Sequence, residues 1–209
     1  MRNSRGYIGL GVLLIVLGVL FLLQNFGILG GLENLVWVML FGLGGLAFLR
    51  VFVTNNEHWW AIIPGFTLLG LAALIGLGDR LGALGGVLFL GAIGLSFWVI
   101  YILKRDFWWA VIPGGTLFTL ALVAGLSEAL PGVEVGGVFF LGLAATFGLL
   151  YFVPTPGGRL SWALIPAGVL GIMGVLLVAA AGNLIGWIWP AALILSGGYL
   201  VFRTLLHAR

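Results

Sequence analysis

The sequence predicts an all-α polytopic membrane protein: about eight transmembrane helices, as four tandem antiparallel hairpins in a single membrane domain spanning 1–209. Three observations predict it. The chain is 62% hydrophobic and 7% charged, against roughly 25% charged for a soluble domain. A water-soluble fold could not cover itself with so few charges. Apolar runs near the ~20 residues a helix needs to cross a bilayer recur along the whole chain. Finally, a Trp-Ala-aliphatic-Ile-Pro stretch returns at intervals of about fifty residues, which marks an internal repeat. Barrel strands would alternate apolar and polar over ~10 residues. These runs are twice as long and apolar throughout, so helices are expected.

In chain order the expected spans are 7–23, 35–53, 59–77, 84–103, 107–126, 135–153, 161–180 and 186–205. The first follows Arg2 and Arg5, as a signal peptide would. No A-x-A-like cleavage site follows it, and the run passes into Gln24-Asn25-Phe26-Gly27, so it is expected to remain as span one. Short connections make neighbouring spans antiparallel, and no separate soluble domain is expected.

The repeat divides the chain into units of about 6–53, 58–103, 107–153 and 160–205. Three first helices open on Trp59-Trp60, Trp108-Trp109 and Trp162, followed by Pro64, Pro113 and Pro166. Proline is tolerated in a first turn, where the missing N–H is least costly. Tryptophan suits the headgroup level, with its ring in the apolar edge and its N–H in the wet region. All five Trp are therefore expected as interface anchors. Small residues three apart mark the second helices at Gly42/Gly45, Gly91/Gly94 and Gly142/Ala145, with Gly197-Gly198 in the last unit. Such spacing fits close helix contact. Between the helices, Asn25, Asp79 and Glu128 each precede a Gly-x-x-x-Gly and Asn183 lies within one, which fits helix ends and turns.

Orientation follows from the basic residues. One side collects Arg2, Arg5, Arg50, Lys104, Arg105, Arg159, Arg203 and Arg209, and the other only Arg80. That bias places both termini in the cytoplasm. Repeats in one orientation imply parallel repeats about an axis along the membrane normal, unlike the inverted repeats of many transporters. A ring and a curved row are equally compatible with the pattern.

Little in the sequence carries chemistry. There is no Cys, hence no thiolate metal site, Cys nucleophile or disulfide. No Lys lies mid-span, and no chain of carboxylates crosses the membrane. Arg50 and Arg203 lie near span ends, where snorkelling accounts for them. His58 and His207 belong to the same edge and are expected as interfacial residues rather than metal or haem ligands. Glycine strings such as Gly42-Leu43-Gly44-Gly45 lie inside apolar helix and are packing signals, not phosphate loops. Thr67, Thr116 and Thr119 are expected to bond within or between helices. The sharpest candidate site is the outer polar cluster of Asn25, Asp79, Glu128 and Asn183. With Glu33 and Glu134 it would form a weakly cation-attracting mouth if the units close into a ring. Capping helices in contact with water is the plainer role for these residues.

The stretch at 9–29, GLGVLLIVLGVLFLLQNFGIL, resembles the small bacterial membrane domain shared by the LiaI and LiaF cell-envelope stress proteins. Residues 168–202, with Trp187-Ile188-Trp189-Pro190 and Gly197-Gly198, look like another copy. The middle units depart from that pattern, since their second helices lack Trp-Pro. The resemblance implies a prokaryotic plasma-membrane protein without catalysis, sensing or stabilising the envelope. No binding residues carry over.

The expectation is therefore a non-catalytic integral membrane protein of structural, sensory or accessory type, with the lipid bilayer as its first partner. A channel or carrier through a pseudosymmetric bundle is the alternative, and a small subunit docking to a larger membrane complex is the third. No cofactor and no nucleic-acid partner are expected. A membrane-protein partner or a homo-oligomer fits the absence of soluble domains.

Overall fold

The computed structural model describes residues 4–27, 32–82, 84–155, 158–182, 193–197 and 199. Seven α-helices lie among them: α1 (Ser4–Asn25), α2 (Glu33–Thr54), α3 (Ile62–Leu81), α4 (Leu84–Leu103), α5 (Val111–Ala129), α6 (Gly136–Phe152) and α7 (Leu164–Ala181). No strand occurs among the described residues. The expected eighth span lies outside them, apart from helical residues 193–197 and 199. Among the described residues, five stretches are long and apolar enough to cross a membrane: Asn34–Thr54, Trp59–Gly78, Leu84–Leu103, Trp108–Ala129 and Ser161–Ala181. They mark the chain as a membrane-embedded protein. The 17 residues of α6 rise about 26 Å, slightly short of a ~30 Å hydrocarbon core.

The repeated first helices begin alike. Trp59–Ala61, Trp108–Ala110 and Ser161–Ala163 each form a turn of 3-10 helix that leads directly into α3, α5 or α7. Pro64, Pro113 and Pro166 are each the third residue of the α-helix that follows, so no interior hydrogen bond is lost. The same helices run further than the spans expected from sequence. In particular α3 continues to Leu81, which draws Asp79 and Arg80 into its last turn. At the far end of α1, α3 and α5 the chain reverses near glycines with positive φ: Gly27 at 65°, Gly82 at 49° and Gly132 at 85°. A side chain resists that region, which is why glycine follows each polar residue.

Among the described residues, the strong helix contacts run in chain order: α2 on α3, α3 on α4, α4 on α5, α5 on α6 and α6 on α7. Glycine lets backbones meet at these joints. A Cβ on Gly45 would lie 2.9 Å from the Gly65 carbonyl oxygen, and one on Gly174 would lie 2.9 Å from the Leu141 nitrogen. Between α5 and α6 the arrangement is reciprocal. Thr146 of α6 sits against Gly115 of α5, and Thr119 of α5 sits against Gly142 of α6. Each threonine hydroxyl donates to the carbonyl of the glycine four residues before it, Thr119 to Gly115 and Thr146 to Gly142, both at 2.9 Å. A buried hydroxyl is thus satisfied inside its own helix while the threonine side chain fills the neighbour's glycine notch. Thr67 and Thr116 bond back in the same way, to Ile63 and Ile112. Not every expected glycine contact forms: the space beside Gly91 is open to 4 Å.

The core gathers at one end of the helices. Ile62, Ile100, Tyr101, Ala110, Val111, Leu150, Val153 and Ala163 form one buried cluster drawn from α3 to α6 and the turns before α5 and α7. This is the end that carries the Trp stretches.

Candidate functional site

Of the residues expected as an outer polar cluster, Asn25, Asp79 and Glu128 lie at the ends of α1, α3 and α5. Asn25 is the last residue of α1 and is exposed. It borders an open hollow with Gly18, Phe21, Leu22 and Gln24. Asp79 lies in the last turn of α3, and Glu128 in the last turn of α5, where its side chain is exposed. Asn183 lies outside the described residues. Glu134 is exposed at the start of α6 and lines a groove against Ala181 of α7, with Gly136 and Gly137 beside it. Asn25, Asp79 and Glu128 share an end because α1, α3 and α5 point the same way. The contacts that join the described helices follow chain order. No group of three or more His, Asp or Glu able to hold a metal ion occurs among the described residues.

The Trp end is far more organised. Trp59, at the start of the second unit, meets Phe107 at 4.8 Å and Trp109 at 5.8 Å between ring centroids, both in the third unit. Trp108 of the third unit meets Trp162 of the fourth at 6.5 Å. These tilted pairings fall in the favourable range for aromatic rings. Phe97 of the second unit likewise packs on Trp109 of the third, and Phe147 of the third on Trp162 of the fourth. Trp60 and Trp162 remain about half exposed, at 47% and 45%. The repeated tryptophans thus join one unit to the next, a contact that sequence reasoning did not assign to them. The one signal for it was the recurrence of a doubled Trp where a single ring would mark an interface.

Basic side chains cover rings at the same end. The Arg105 guanidinium lies 4.7 Å from the Tyr101 ring, Lys104 lies 5.7 Å from Phe107, and Arg159 lies 5.7 Å from Tyr151. Such stacking lets a cation keep its head in water while its stem covers apolar surface. Trp98 is the polar exception. It stacks on Phe118 at 6.4 Å, and its ring N–H is buried without a hydrogen-bond partner. Its neighbour is the glycine notch at Gly114, where a Cβ would come 3.1 Å from that nitrogen. The notch admits the indole but offers it no acceptor.

Two further side chains, both exposed, border one open hollow at the end of α2. Arg50, Thr54, Asn55 and His58 border a cavity of about 340 Å³ with Ala47 and Val51. His58 stands edge-on to Trp60 at 6.3 Å, and Trp60 packs on Phe48 at 6.2 Å. What the arrangement offers chemically is one guanidinium and one imidazole beside an apolar wall, with no paired carboxylates. Comparison with known protein families, curated proteins and solved structures finds no match for this chain.

Proposed function

We propose that the chain is a non-catalytic, multi-pass protein of the prokaryotic plasma membrane, built from four tandem hairpins with both termini cytoplasmic, that serves a structural, sensory or accessory role. The observation that carries this reading is the closed Trp end. There Ile62, Ile100, Val111 and Leu150 fill the space between the helices, and each is 1% exposed or less. Aromatic pairs lock successive units above it. A transport path would need polar groups at that depth; this end is packed with aliphatic and aromatic side chains instead. The resemblance to envelope-stress membrane domains and the eight-to-one distribution of basic residues support the cellular setting.

Because the chain has no cysteine, single-cysteine variants test the orientation directly. Asn56→Cys is expected to react with a membrane-impermeant maleimide only after the membrane is opened, and Val133→Cys, in the exposed loop before α6, in intact cells. The reverse labelling overturns the orientation. Proteoliposomes of the purified chain are expected to show no more flux of protons or potassium than empty ones. Flux that disappears in Glu128→Ala would overturn the structural role in favour of a channel.

A further inference from the structure

We propose that the cavity at the end of α2 is a binding site for the phosphate of an anionic phospholipid headgroup. The helix supplies one wall. Ala47, Arg50, Val51 and Thr54 are spaced three and four apart, so they share a face of the last turns of α2. The chain then leaves the helix at Asn55, in extended conformation with φ −146° and ψ 108°. The Asn55 side-chain oxygen accepts from the Glu57 N–H at 2.9 Å, and the Asn55 carbonyl accepts from the His58 N–H at 3.0 Å. That turn brings His58 back to the cavity bordered by Arg50. Thr54 donates its hydroxyl to the Arg50 carbonyl at 2.8 Å, which occupies that donor. The cationic donor left facing a ligand is the guanidinium, whose planar fork matches phosphate oxygens.

The lining matches a lipid better than a free anion. Ala47 and Val51 form an apolar wall beneath the polar rim, suited to the glycerol and first acyl carbons. Trp60 holds the edge of His58 and is half exposed, as a ring at the headgroup level would be. Glu57 in the same turn is exposed and opposes an anion, so its removal strengthens the site.

The next repeat shows that the turn alone does not make the cavity. Forty-nine residues on, Arg50 corresponds to Val99, His58 to Phe107, and Ala47 and Val51 to Ser96 and Ile100. There Ser96 and Ile100 are fully buried, and Phe107 packs on Trp59 and Trp109. The same fold of chain is filled by side chains in one unit and rimmed by Arg and His in the other.

The site rests on the membrane-embedded reading, and the experiment separates the two. The full chain is reconstituted with vesicles of equimolar phosphatidylglycerol and phosphatidylcholine, floated, extracted gently, and its retained lipid measured by native mass spectrometry. Wild type is expected to float and to retain phosphatidylglycerol preferentially. Arg50→Gln is expected to weaken that retention about fivefold, His58→Gln less, and Glu57→Gln to strengthen it. Arg105→Gln, whose guanidinium lies over Tyr101, is expected to leave it unchanged. Equal losses in the Arg50 and Arg105 variants, or no preference in a floating wild type, overturn the site. Displacement of the lipid by millimolar inorganic phosphate overturns the lipid in favour of a free anion. A chain that does not float overturns the membrane reading along with the site.

Discussion

At the Trp end, Ile100, Val111 and Leu150 are fully closed off, and the starts of three successive units touch through Trp59, Trp109, Trp108 and Trp162. At the opposite end, Glu128, Leu130, Val133 and Glu134 are exposed and the chain turns on Gly82 and Gly132. The repeat is most faithful in sequence where the packing is densest, and loosest where the chain only has to reverse. Lipid tails are as apolar as Leu, so burial from water does little to hold such helices together once they are inserted. Shape fit and dispersion do the holding. The Trp end and the glycine notches are therefore where stability concentrates, and the polar end is free to vary.

Overfilling a notch should have the largest effect. Gly115→Leu is expected to lower stability by about 2–3 kcal/mol, read as a fall in the thermal unfolding midpoint in detergent. Adding Thr146→Gly should recover much of the loss, because Thr146 is what occupies the notch. No recovery would mean that the α5–α6 joint is not the limiting contact. Next in size, Leu150→Ala should cost about 1–2 kcal/mol, the packing share of a core truncation without most of the water-transfer share. Leu130→Ala, with its side chain 48% exposed, should cost well under half of that in the same assay. Equal losses would erase the contrast between the ends. Smallest of all, Glu128→Gln should shift stability by no more than about 0.5 kcal/mol; a larger change would give the polar end a packing role.

Much of the architecture was legible because it rests on local rules. The 3-10 starts of α3, α5 and α7 follow from Trp-Ala-x-Ile-Pro with Pro in the first turn, and the reversals after α1, α3 and α5 follow from polar residues leading into glycine. Partner choice was not legible. These helices are apolar on every side, so periodicity does not say which face meets a neighbour. Gly91 and Gly94 look equivalent in sequence. A Cβ on Gly94 would meet Phe118 at 2.9 Å, whereas one on Gly91 would meet nothing within 4 Å. The pairing of Gly115 with Thr146 depends on the register between two helices, which no single segment encodes. The cavity at Arg50 and His58 likewise depends on how tightly the 55–58 turn folds back. As for the candidate outer cluster, the placement of Asn25, Asp79 and Glu128 at helix ends was visible in advance.

Joints between chain neighbours also bear on how the molecule is made. Each helix from α3 to α7 packs on the segment synthesised just before it, so these contacts are short in sequence and inexpensive in loop entropy. A hairpin leaving the insertion machinery can dock on the one already in the bilayer without waiting for the C-terminus. Assembly then follows the order of translation, with each pair of tryptophans closing the latch on the unit before it.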